Sequence, residues 1–196
     1  MQGWWDYLLQ LDFIPVSPRV WQRTVERHAV AVWPFHALLW AVLAGTLTLA
    51  YRRRSVVSTR TALVALAVGW AHLGVVFFGQ YVAELTWSAS WAMAGCLGQA
   101  ALLVAGSVLC RPIDDAVRSG AALLAIATAI AALLMPLGRL LGTGSPSAAT
   151  ALAGDPALLA VVTLIALPLL PGAVRWLSLP ASVALLALAI VPRLAR

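Results

Sequence analysis

Apolar residues along this chain come in long blocks separated by short polar or aromatic segments. The clearest block is Ala29–Tyr51, 23 residues closed by Arg52-Arg53-Arg54. At ~1.5 Å per residue it is ~34 Å long, enough to cross a hydrocarbon core ~30 Å thick. Further blocks follow at Thr61–Gly79, Ser88–Cys110, Gly120–Leu137, Pro156–Leu170 and Trp176–Val191. Asp155-Pro156 opens the fifth as N-cap and first-turn proline. The pattern predicts an all-α polytopic transmembrane bundle of six spans, with residues 1–196 as a single membrane domain.

Residues 1–28 form the outer segment. Within it, 3–13 is too short and too polar to span, but Trp4, Tyr7, Leu8 and Leu11 recur at helical spacing. That predicts a short interfacial helix with tryptophans at headgroup level. Ser17-Pro18 then starts a second helical stretch. Its polar face carries Arg19, Arg23, Glu26 and Arg27, and it is expected to run straight into the first span. Pro34, Pro168 and Pro180 lie inside spans, where a missing backbone donor can bend a helix. Small residues, among them Ala94, Gly98, Ala121, Ala125 and Ala129, favour close helix packing in lipid. Gly95 and Gly98 are expected to supply that approach near Gln99.

Composition excludes a soluble domain. Only 10% of residues are charged, against roughly 25% in soluble proteins, and the mean hydropathy is +0.92. The net charge of +6 is all arginine, since the chain holds no lysine. These arginines are dispersed except at 52–54, a pattern of topogenic charge and anionic lipid contact, not of nucleic-acid binding. The dense 52–60 loop is assigned to the cytoplasm by the positive-inside rule. That gives N-out and C-out in a bacterial inner membrane, with seven arginines inside and six outside. No cleavable signal peptide is expected at the N-terminus. The expected partners are the bilayer and a membrane protein or second copy. Cys96 and Cys110 sit ~21 Å apart on one helix and cannot bridge.

Candidate chemistry is confined to a few polar residues within the spans, where such groups are costly and often functional. Counted from the cytoplasmic ends, His36 lies ~24 Å up its helix, His72 ~18 Å, Cys96 ~21 Å and Gln99 ~17 Å. They define one polar layer, with His36, His72 and Gln99 directed into the bundle. Three roles fit it: interhelical hydrogen bonds alone, a small-molecule or ion pathway, or a b-type haem on His36 and His72. Glu26, Glu84, Arg139 and Asp155 would form a charged outer rim. No hydrolase, metal-ligand, phosphate-loop or dinucleotide motif is present. The primary expectation is a non-enzymatic membrane protein, an accessory subunit or small-molecule or ion carrier, with no metal or cofactor. The alternative is a haem-binding redox subunit.

One set of short motifs runs through most of the chain: Trp5-x-Tyr7-Leu8-x-x-x-Asp12-Phe13, Ser17-Pro18-Arg19, and Glu26 ahead of Trp33-Pro34. Further on come Tyr81 with Trp87, Gln99-Ala100, Gly138-Arg139, Asp155-Pro156 and Arg175-Trp176. In this order they resemble a family of uncharacterised bacterial six-span membrane proteins, a domain of unknown function. That family carries a histidine and an asparagine shortly before the tryptophan matching Trp87, where this chain has residues such as Gly79 and Thr86. The resemblance implies fold and location, and no activity.

Overall fold

The computed structural model describes residues 18–53, 55–110 and 156–194. The order is α1 (Pro18–Ala31), α2 (Trp33–Arg53), α3 (Val56–His72) and α4 (Ala89–Leu109), then α5 (Pro156–Ala166) and α6 (Gly172–Leu194). A π-helical stretch, Leu73–Val82, continues α3, and a 3₁₀ turn, Leu167–Leu169, ends α5. Among the described residues the regular structure is entirely helical. The expected interfacial helix at 3–13, the span at 120–137, and Ala121, Ala125, Ala129, Arg139 and Asp155 lie outside them.

Two described helices are long and apolar enough to cross a membrane: the continuous Val56–Val82, 27 residues, and Ala89–Leu109, 21 residues. A third arises if the bent pair α1–α2 counts as one span. The apolar stretches Pro156–Leu169 and Gly172–Ala187 are shorter. These helices are compatible with membrane insertion.

The first expected span does not begin at Ala29. Helical hydrogen bonding reaches Val32, whose N–H donates to His28 O at 3.0 Å, and restarts with His36 N–H on Val32 O at 3.1 Å. Between them the chain turns by 81°. Pro34 has no N–H to carry the ladder through, and the residue before a proline disfavours the helical region. The second span is longer than the Thr61–Gly79 block because Thr59 and Arg60 are helical too and the π-stretch extends past Gln80. The last begins at Gly172, not Trp176. Its Arg175 is therefore helical and half-buried, donating to the carbonyls of Leu167 (3.1 Å), Pro168 (3.2 Å) and Leu170 (3.2 Å). The helix assignment runs unbroken through Pro180, whereas α5 tightens into the 3₁₀ turn at Pro168.

The core lies between α3, α4, α5 and α6, with α2 against α3. Close approach comes from other glycines than expected. A Cβ built on Gly74 would meet Cys96 Cβ at 3.0 Å and Met93 O at 3.2 Å; on Gly106 it would meet Leu170 Cδ2 at 2.5 Å. Among the described residues, Gly95 and Gly98 have nothing within 4 Å, so none of the described helices seats on them near Gln99. Trp70 Nε1 donates to Thr163 Oγ1 at 2.8 Å and ties α3 to α5. The packing of α1 on the π-stretch, marked by Trp21 edge-on to Phe77 at 5.5 Å, positions the site below.

Candidate functional site

Every histidine in the chain converges on one place. One ligand nitrogen from each of His28, His36 and His72 lies within 4.8 Å of the other two. Ring centroids are 5.0 Å apart for His28–His36, 5.6 Å for His28–His72 and 5.5 Å for His36–His72. His28 is fully buried and His36 nearly so. His72 is half-buried.

Each side chain is placed by a separate local cause. On α1, Trp21, Thr24, Val25, His28 and Ala29 are buried, while Arg19, Arg23 and Arg27 are exposed. Positions three and four apart share a helix face, so His28 occupies the buried stripe of an amphipathic helix. The corner at Val32 lets that stripe fold back over the start of α2, where His36 sits one turn in. His72 closes α3 just before the hydrogen bonding widens. In a π-helix residues five apart bond to each other, which brings Phe77 to the side His72 faces. Phe77 and Tyr81 then stand edge-on to His28, at 5.1 and 5.3 Å. Phe35 stacks on His72 at 4.1 Å.

The imidazoles are walled by aromatic rings and short of hydrogen-bond partners. Among the described residues, neither nitrogen of His28 nor Nδ1 of His36 has one. An unsatisfied buried polar group costs roughly 1–3 kcal/mol, so unpartnered nitrogens on two of three converging imidazoles demand a reason. The His28 ring is fully buried, and burial favours the neutral imidazole over the charged one. Its neutral ring keeps a lone pair, the form that ligates metals.

Of the expected polar layer, His36 and His72 come together. Cys96 does not join them; it is buried against Gly74. Gln99 is 1% exposed, and neither amide atom has a hydrogen-bond partner among the described residues. Of the outer rim, Glu26 is half-buried on α1 and Glu84 exposed in the turn before α4; Arg139 and Asp155 fall outside the described residues. Sequence reasoning passed over His28, although its seven-residue spacing from Trp21, through Thr24 and Val25, was the available signal.

No family model, no curated protein and no solved structure matches the chain.

Proposed function

We propose that this chain is a six-span integral membrane protein, N-out and C-out in a bacterial inner membrane. On this reading it is not an enzyme: it holds a small ion or molecule in the three-histidine chamber, as a carrier or an accessory subunit. The observation that carries the reading is the meeting of all three histidines, two of which, His28 and His36, have buried nitrogens that lack hydrogen-bond partners among the described residues. Interhelical hydrogen bonding alone would have joined these side chains to one another or to neighbouring backbone. A bound guest accounts for lone pairs left open. The fold-level support is the resemblance to six-span membrane proteins and the long apolar helices.

The second reading is a b-type haem between His36 and His72. A porphyrin needs an open plane between its axial ligands. Here His28 stands 5.0 and 5.6 Å from the two rings, and Phe35 lies flat on His72 at 4.1 Å. The chamber favours a compact guest over a macrocycle.

Native mass spectrometry of protein extracted with its own lipids tests the reading. Wild-type protein should retain an added mass that is absent from a folded His28→Leu/His72→Leu variant. Identical spectra for the two would refute the chamber as a binding site.

A further inference from the structure

We infer that the guest of His28, His36 and His72 is a late first-row transition-metal ion, and that the site prefers monovalent copper to divalent zinc. This rests on the reading of the chamber as a binding site, and adds the identity of its occupant.

The donor set comes first. Three imidazole nitrogens suit zinc, copper, iron and nickel, and not magnesium or calcium, which take oxygen ligands. Geometry follows. With the three ligand atoms all within 4.8 Å of one another, some point lies within about 2.8 Å of all three. An imidazole–metal bond is ~2.0–2.1 Å, so each ring needs to close by less than about 1 Å, within reach of a small χ adjustment.

Charge then separates the metals. No carboxylate or thiolate belongs to the group among the described residues. A metal on three neutral rings keeps its full charge in an aromatic-lined, buried place. The cost of burying an ion grows with the square of its charge, so a divalent ion faces about four times the penalty of a monovalent one. Zinc also seeks a fourth ligand, commonly water when three come from protein. The surrounding Phe35, Phe77 and Tyr81 rings are poor company for a hydrated dication. Monovalent copper is satisfied by two or three ligands and carries half the charge.

The test uses the full chain in lipid nanodiscs, stripped of metal by chelator. Copper(I) is titrated in competition with bicinchoninate, and zinc in a parallel arm against a zinc-responsive dye. One copper per chain is expected. His28→Leu should weaken binding by at least about 100-fold, more than losing a supporting contact costs. His28→Met should keep copper, because a thioether is a soft ligand that serves copper(I) and not zinc. Only variants with wild-type helical content and elution are scored, with His36→Leu standing in if His28→Leu fails to fold. Zinc bound as tightly as copper, copper retained by the leucine variant, or no metal bound would each overturn the inference. If neither metal binds but a His28-dependent mass persists in native spectra, the occupant is wrong and the chamber stands. If that mass is missing too, both fail.

Discussion

Trp70 and Thr163 share a buried hydrogen bond of 2.8 Å, indole N–H to hydroxyl, across 93 positions of sequence. The Thr163 hydroxyl donates its own hydrogen bond to Leu159 O at 2.8 Å, so its oxygen is free to accept from the indole. The pair joins the helix that carries His72 to the later part of the chain. Thr163→Val removes the acceptor with little change of shape and leaves a buried N–H unpaired. The expected loss is about 0.6–1.7 kcal/mol, the range for polar pairs between membrane helices. Thr163→Ser should lose much less. Unfolding in mixed micelles checks both, and a Val variant as stable as wild type would remove the bond's importance.

Glycine substitutions should sort by what stands opposite them. Gly106→Ala pushes a methyl to 2.5 Å from Leu170 Cδ2 and should cost about 1–3 kcal/mol through overpacking. Gly95→Ala and Gly98→Ala meet nothing within 4 Å among the described residues and should be neutral or slightly stabilising. Thermal melts of the three variants give the order. Equal effects at Gly106 and Gly98 would contradict this packing.

Protein purified from haem-replete cells should be colourless. The filling of the chamber by His28 and Phe35 is the reason. A reducible Soret band that disappears in His36→Leu would replace the metal-ion reading with a redox one.

A reporter fused after residue 56 should behave as cytoplasmic, and fusions along the chain should change sides six times. The arginines at 52–54 and Arg60 carry that expectation. A periplasmic signal at 56 reverses the orientation; four or five changes of side revise the span count.

Helix content and the third expected span were open to reading because the apolar block at Ser88–Cys110 is bounded by Trp87 and by Arg111-Pro112. Structure returns Ala89–Leu109 there. Pro156 as the first residue of α5 was equally legible. Two things were not. The corner at Val32 hides inside a continuous apolar run, where hydropathy has no contrast and only Pro34 hinted at a break. The π-stretch defeats a 3.6-residue count, so Phe77 and Tyr81 could not be placed beside a histidine by periodicity. His28 was missed for a third reason. The reading of this amphipathic stretch rested on its polar face, Arg19, Arg23, Glu26 and Arg27, while His28 and its neighbours at three and four residues' spacing are buried. Gln99 is buried, while the glycines expected beside it meet nothing within 4 Å among the described residues.

The folding-back of α1 has a consequence for biogenesis. Its docking surface is the stretch Leu73–Val82, with Trp21 on Phe77 and His28 against Phe77 and Tyr81. Those residues leave the ribosome more than 50 positions after Trp21. α1 must therefore wait, exposed along its Trp21–Val25–His28 stripe, until the hairpin of α2 and α3 has been delivered. His28 is the earliest of the three histidines to be synthesised and the last to take its place.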